Sequence, residues 1–154
     1  MSGLPEPIAS RLSLPLIVAP MLYVSGVELV TAACRAGAIG AFPAANPGSA
    51  VELDRWLNEI EKAAAAAEHP APHCPNLIVR DPRLAEHLEV VVAHRVEMVI
   101  ASVGSPAPVV EPLHDVGASS SPMWRRSSTP ARRSRPASTD SSCSPPARAG
   151  RPAG

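Results

Sequence analysis

Three side chains of metal-ligating types lie close together in the sequence, at His69, His73 and Cys74. Imidazole nitrogen and thiolate sulfur are the usual zinc ligands, and a structural site needs four of them. These three residues stand in the proline-rich segment HPAPHCP, and no second ligand pair is spaced to join them. Cys34 and Cys143 form no CxxC pair either. The sequence therefore predicts no metal site.

Two other segments could hold a flat, mostly apolar ligand. The apolar run PLIVAPM (15–21) ends in Ala19, Pro20 and Met21, and a proline there fixes φ and stiffens the chain. Its backbone N–H and C=O groups could meet a ligand at the end of a strand. Asn76 opens a second apolar run and offers both a donor and an acceptor. Taken alone, Met21 is more typical of a core residue than of a ligand contact, and Asn76 is more typical of a turn.

These segments belong to a regular alternation of short apolar runs and amphipathic stretches. The predicted strands are 15–21, 38–42, 76–79 and 96–104 (the last with its loop), and the predicted helices are 25–37, 50–68, 81–95 and 105–117. Strands alternating with helices predict right-handed crossovers and a parallel sheet, with a doubly wound open sheet as the alternative. In either architecture, ligands bind at the loops that follow the strands.

Local signals define the ends of these helices. Ser25, followed by Glu28 three residues later, predicts an N-cap with a capping box. Gly37 is a natural helix stop, and Pro82 suits a first helical turn. The second helix has an apolar face made of Leu53, Trp56, Leu57 and Ile60.

The order of these motifs resembles the nitronate monooxygenase family, also called 2-nitropropane dioxygenases, over roughly residues 12–118. The strand ending in Ala-Pro-Met, the helix of small residues, the Gly-flanked second strand, PNLIV and VIASVGSP follow one another as in that family. The resemblance implies FMN as cofactor. The residues that it places at the flavin are Ala19, Pro20, Met21, Asn76, Ser102 and Gly104.

The resemblance also implies a fold and an activity. The fold is α/β, the amino-terminal half of a (β/α)8 TIM barrel followed by a disordered tail. The activity is oxidation of alkyl nitronates with O2; FMN-dependent enoyl reductases share the same pattern. The family's catalytic base is a histidine near a Gly-rich loop in the second half of the barrel. None of the five histidines here matches it, so no catalytic residue is assigned; His87 and His94 are expected on a solvated or half-buried helix face.

A change of composition after residue 118 divides the chain. Residues 1–118 carry 7 Lys and Arg against 13 Asp and Glu, a net of −6, whereas residues 119–154 carry 7 Arg and one Asp, a net of +6. The second part contains no Val, Ile or Leu. Such a Ser/Pro/Arg-rich segment predicts disorder. It is also what out-of-frame translation of GC-rich coding DNA would yield, so we predict a frameshift near residue 118 and a truncated, inactive barrel domain (1–118).

Two other classes of function remain open at this stage. One is a nucleic-acid-binding protein with a basic tail. In that tail Trp124 is the only aromatic residue that could stack on a base. The other is a half-barrel that pairs with another chain. We favour a small-molecule flavoenzyme with no nucleic-acid partner and no membrane partner, of unknown oligomeric state. The few, scattered cysteines favour the cytoplasm over a secreted disulfide framework.

Overall fold

The computed structural model describes residues 4–115, without the His114 side chain. Strands and helices alternate along this part of the chain, as the sequence predicts, after one short helix that the sequence pattern does not reveal. In chain order the elements are α1 (Glu6–Ala9), β1 (Ile17–Val18), α2 (Val27–Arg35), β2 (Ile39–Pro43), α3 (Ala50–Ala64), β3 (His73–Ile78), α4 (Leu84–Ala93), β4 (Ile100–Ser102) and α5 (Ala107–Asp115).

The four strands form one parallel sheet in the order β1-β2-β3-β4. In its register, Ile17 lies opposite Ile39, and Ala41 lies opposite Cys74. Consecutive parallel strands, each followed by a helix, form a curled half-barrel like the amino-terminal half of a TIM barrel. This confirms the predicted fold class. The doubly wound alternative is wrong for the described strands, because such a sheet reverses its strand order.

Two apolar clusters cover the two faces of the sheet. The outer face carries α2 to α5, and its buried cluster includes Val30, Phe42, Leu57, Leu77, Val91 and Val109. The opposite, inner face carries α1, and its buried cluster consists of Ile8, Ile39, Ala41, Cys74 and Met98. Residues of each strand alternate between the two clusters, as the period of a β-strand requires. The inner face corresponds to the inside of a barrel.

The central strand β2 is buried along its whole length. Its closest helix contact is made by Gly40, where a Cβ would stand 2.6 Å from the carbonyl oxygen of Val30. Any side chain at this position would therefore push α2 away from the sheet. Gly37 follows α2 with φ of +77° and confirms the predicted helix stop.

The predicted strands differ in extent from those observed. β1 comprises two residues, not the seven of the run 15–21, because the chain leaves the sheet at Ala19. β3 begins at His73, inside the segment that the sequence analysis assigned to a proline-rich connection. That interpretation was wrong because Pro72 and Pro75 suggested a loop, whereas both are buried, Pro72 just before β3 and Pro75 within it.

Two predicted helix starts were also wrong. Gly26, not Ser25, is the N-cap of α2, and no side chain caps this helix. The Ser25 hydroxyl instead binds backbone groups of the preceding loop. Pro82 precedes α4, whose N-cap is Arg83. The apolar face of α3 is confirmed, with Leu53, Leu57 and Ile60 buried and Trp56 packed against them.

No helix among residues 4–115 is long and apolar enough to cross a membrane. The composition change at residue 118, the suspected frameshift and the tail 119–154 lie outside the described residues, and those interpretations stay predictions.

Candidate functional site

Five of the six predicted site residues lie at or just beyond the carboxyl ends of the strands. Ala19 to Met21 directly follow β1, Ser102 ends β4, and Gly104 stands in the loop after it. Asn76 lies within β3, two residues before its end and not at the start of the strand as predicted, opposite the last residue of β2. Because all four strands are parallel, these ends meet along one edge of the sheet, which we call the carboxyl edge. This is the edge at which barrel enzymes carry their active sites.

Asn76 lies on the inner face of the sheet. Its register partners are Pro43 on β2 and Ile100 on β4, and it follows the inward-facing Cys74 by two residues. The Oδ1 atom of its side chain is buried and has no hydrogen-bond partner within residues 4–115. An unpaired buried amide oxygen costs about 1–3 kcal/mol. Such an oxygen is set to accept a hydrogen bond from a donor brought to this face.

The loop between β1 and α2 is held by two polar side chains, Ser25 and Asn46, which we call the clasp. The Ser25 Oγ accepts a hydrogen bond from the Met21 N–H at 3.0 Å and donates one to the Ala19 carbonyl at 2.9 Å. The Asn46 Nδ2 donates to the carbonyls of Met21 at 3.1 Å and Ser25 at 2.9 Å, while its Oδ1 accepts from the Tyr23 N–H at 3.1 Å. Asn46 belongs to the loop after β2, so the clasp joins two neighbouring loops.

The clasp changes what the Ala19–Met21 segment can offer to a ligand. The Ala19 carbonyl and both backbone groups of Met21 already have partners inside the protein. What remains at this edge is largely the apolar surface of Pro20 and of the Met21 side chain, which is 41% exposed. Met21 is therefore not core filler. The segment forms a firm apolar edge next to the inner face.

The loop after β4 adopts a constrained backbone conformation. The Ser102 carbonyl accepts a hydrogen bond from the Val79 N–H at 2.9 Å, which ties the ends of β3 and β4 together. Val103 has φ of +56°, a conformation that β-branched residues rarely adopt, and its side chain is 60% exposed. Gly104 has φ of +157°, and a Cβ there would lie 3.0 Å from the Val79 Cβ. The backbone at this point of the carboxyl edge thus has a single, closely fitted path.

The charged groups after β3 bind to one another and to the neighbouring loop. The Arg83 N–H donates to the Asp81 carboxylate at 2.9 Å, and this hydrogen bond lowers the pKa of Asp81. The Arg83 guanidinium also donates to the Gly48 carbonyl at 3.0 Å, in the loop after β2. His87 is only 2% exposed, and burial followed by the charge of Arg83 lowers its pKa. It is therefore an enclosed, neutral imidazole, and the expected solvated or half-buried position was wrong for it.

His94 lies at the other end of α4, as its C-cap residue. Its Nδ1 lies 3.0 Å from a Glu61 carboxylate oxygen, and its Nε2 lies 2.9 Å from one of Asp54. Burial alone would lower the pKa of His94, but the hydrogen bonds to the two carboxylates outweigh it and raise that pKa. His94 is half-buried, with 10% of its side chain exposed, as the sequence predicts for this helix face. This histidine joins α3 to α4.

His73 and Cys74, adjacent in the sequence, point to opposite faces of the sheet. Cys74 is buried on the inner face, where burial raises the pKa of its thiol to about 12. Burial lowers the pKa of His73. A neutral thiol and a neutral imidazole on two sides of a sheet do not converge on one ion.

The sequence did not indicate that Ser25 and Asn46 hold this loop. Ser25 was predicted to cap a helix, and Asn46 was not among the candidate site residues. Both residue types bind backbone groups in loops, and that tendency is the signal that could have indicated them. Their partners lie up to 25 residues away, and this distance is not visible in the sequence.

Comparisons with known proteins give a fold and no family. No protein-family model matches the chain. No curated protein matches it either. The structure resembles that of FabK from Thermotoga maritima with a TM-score of 0.59 and 19% identity, over 70% of this chain and 32% of that one. A point mutant of the same FabK matches with a TM-score of 0.60 and 19% identity, over 70% and 34%.

The chain thus spans about a third of the length of the solved structures that it matches. At this level of identity the likeness shows the fold alone. Residues 4–115 form four consecutive β/α units of a TIM barrel, and their carboxyl edge carries the predicted site residues.

Proposed function

We propose that this chain is the amino-terminal half of an FMN-dependent oxidoreductase barrel, and that its carboxyl edge contributes to the flavin site. The observation that carries the proposal is the buried, unpartnered Oδ1 of Asn76 on the inner face. The motif resemblance assigns a flavin contact to this same residue. The FabK neighbours support a flavin site as well, since FabK is an FMN-dependent enoyl reductase of the same barrel superfamily.

The residues present fit a flavin. A flavin ring needs an apolar bed with a few fixed polar groups, and it supplies electron or hydride transfer when bound. Pro20 and Met21 would provide the apolar edge, and the Asn76 oxygen would accept a hydrogen bond from the ring system. Ser102 and Gly104 would border the site at the end of β4. Within residues 4–115 we propose no catalytic acid or base.

The specific reaction that we propose is oxidation of alkyl nitronates with O2, because the motif order follows the nitronate monooxygenases. Reduction of an enoyl substrate is the second candidate, which the likeness to FabK favours. Both reactions use a flavin, so the cofactor proposal does not depend on the choice between them. The proposed partners are a small-molecule substrate and O2, without nucleic acid.

The first test measures FMN binding by the quenching of flavin fluorescence. It compares the 154-residue chain with a version in which the reading frame is restored after about residue 118. We expect tight binding and a yellow protein for the restored version, and weak binding for the chain as it stands. Oxygen consumption with nitroalkane anions, compared with NAD(P)H-dependent reduction of an enoyl thioester, then separates the two candidate reactions. A restored protein that remains colourless and binds no FMN would contradict the proposal.

Asn76→Leu directly tests the role of the buried Asn76 Oδ1, on which the proposal rests. Leu has a similar volume but accepts no hydrogen bond, so we expect FMN affinity to fall about ten- to a hundredfold. The matched control is Asn58→Ala on α3, which removes an asparagine that binds the Asp54 carbonyl and carboxylate. Unchanged FMN affinity in Asn76→Leu would remove the main support for the flavin site.

A further inference from the structure

The clasp is the densest group of side-chain to backbone hydrogen bonds at the carboxyl edge. Two side chains, Ser25 and Asn46, make five hydrogen bonds of 2.9 to 3.1 Å to the backbone of a single loop. Ser25 is fully buried. Three of the five bonds cross from the loop after β2 to the loop after β1. These two side chains therefore hold the backbone of other residues in position.

Packing does not explain the shape of the loop that the clasp holds. Leu22, Tyr23 and Val24 are 53%, 95% and 61% exposed. Tyr23 also has φ of +61°, which costs a non-glycine residue about 1 kcal/mol or more. A loop shaped for its own stability would bury these side chains and relax this backbone. The polar clasp instead maintains an exposed, strained conformation.

The part of the loop that directly follows β1 is the Ala19–Met21 segment. Both ends of this segment are fixed by one atom, the Ser25 Oγ, which binds the Ala19 carbonyl and the Met21 N–H. Asn46 fixes the Met21 carbonyl from the other loop. The backbone on both sides of Pro20 is thus immobilised, while the half-buried Pro20 and the exposed Met21 keep apolar surface accessible. Such preorganisation raises the affinity for a ligand, because little conformational entropy is then lost on binding.

We infer that Ser25 and Asn46 are positioning residues, which hold the Ala19–Met21 segment in the conformation that receives the cofactor. This inference rests on the proposed flavin site and adds to it two residues that touch neither substrate nor cofactor. The clasp acts through the backbone of Met21, which both side chains bind. Loss of either side chain loosens the same segment.

The test measures two quantities, the affinity for FMN and the conformational order of the loop that the clasp holds. Both are measured in the full chain and in its frame-restored version. Tyr23 is the only tyrosine of the 154-residue chain, so incorporation of 3-fluorotyrosine into that chain gives one ¹⁹F NMR signal, which reports on the clasped loop. We expect Asn46→Ala and Ser25→Ala each to narrow or shift this signal and to weaken FMN binding about tenfold. The double variant should lose less than the product of the two effects, because both side chains act on Met21.

Asn58→Ala is the matched control, since it also removes a hydrogen-bonded asparagine side chain, one with two hydrogen bonds, but on α3. It should leave both the ¹⁹F signal and FMN affinity unchanged. Wild-type FMN affinity in Asn46→Ala, together with a changed ¹⁹F signal, would overturn the inference and leave the flavin site standing. Absence of FMN binding in the frame-restored wild-type protein would overturn the proposed function, and the inference would fall with it.

Discussion

The two ends of the half-barrel are held by different interactions. At the amino ends of the strands, Ile8 of α1 fills the inner face beside Ile39, and Arg11 forms an ion pair with Glu97 just before β4. At the carboxyl edge, loops are held by side-chain to backbone hydrogen bonds and leave apolar residues such as Tyr23 exposed. The amino end is closed by burial, while the carboxyl edge is fixed in shape but left accessible. In TIM barrels generally, the amino-terminal face serves stability and the carboxyl-terminal face carries the loops that differ between proteins.

The largest expected effect on stability is at the closed amino end. Ile39 is fully buried between Ile17 and the α1 residue Ile8. Ile39→Ala should lower the free energy of unfolding by about 3 kcal/mol, because it leaves a cavity in a packed cluster. Urea denaturation followed by circular dichroism measures this loss. Val51→Ala, at an 81% exposed position, is the control and should change stability little. Equal losses in the two variants would contradict the division between the two ends.

A smaller loss is expected at the carboxyl edge from Gly104→Ala. The backbone there has φ of +157°, and a Cβ would approach Val79 to 3.0 Å. We expect a loss of about 2 kcal/mol in unfolding free energy, together with weaker FMN binding. The same urea titration, combined with FMN titration, separates the two effects. A stable variant would mean that the path of this loop is not closely fitted.

The His94 cluster should make stability depend on pH. Its pKa is raised in the folded protein, so its contribution is fully present below the unfolded pKa of about 6.5 and is lost as pH rises through the higher folded pKa. The contribution of His94 to the free energy of unfolding should be about 1 kcal/mol or less, since Asp54 and Glu61 are largely solvated.

Urea midpoints of wild type and His94→Gln, measured from pH 5.5 to 8.5, test this. The difference between the two proteins should shrink as pH rises. His73 and His87 have lowered pKa values and act in the opposite direction. The effect of His87 is common to both proteins, whereas the charge of His94 is one of the causes that lower the pKa of His73, after burial. A difference that stays constant or grows with pH would contradict the assignment.

The smallest expected effect on stability is the most informative about the carboxyl edge. Asn76→Leu removes an unpaired buried amide oxygen, so the unfolding free energy without cofactor should stay the same or rise slightly. FMN affinity should fall in the same variant. This combination would place Asn76 among residues kept for binding. A clear loss of stability would instead show that Asn76 is a structural residue.

The sequence by itself determined the order of the elements and the burial of their apolar faces. Short apolar runs, helical periodicity and the stop at Gly37 depend on neighbouring residues, so they are readable along the chain. The same local signals gave wrong predictions where a side chain could bind more than one set of partners. Ser25 has the sequence context of an N-cap, yet its hydroxyl binds the loop before it. Pro75 suggested a connection, yet it lies within a strand.

Only the tertiary structure decided which distant residues meet. Asn46 reaches the loop after β1, Arg11 reaches Glu97, and His94 reaches Asp54, at separations of 25, 86 and 40 residues. It also decided that the Asn76 side chain faces inward with an unpaired oxygen, since facing depends on strand register. Local propensity acts over a few residues, whereas these contacts form only when parallel strands and the helices between them have packed.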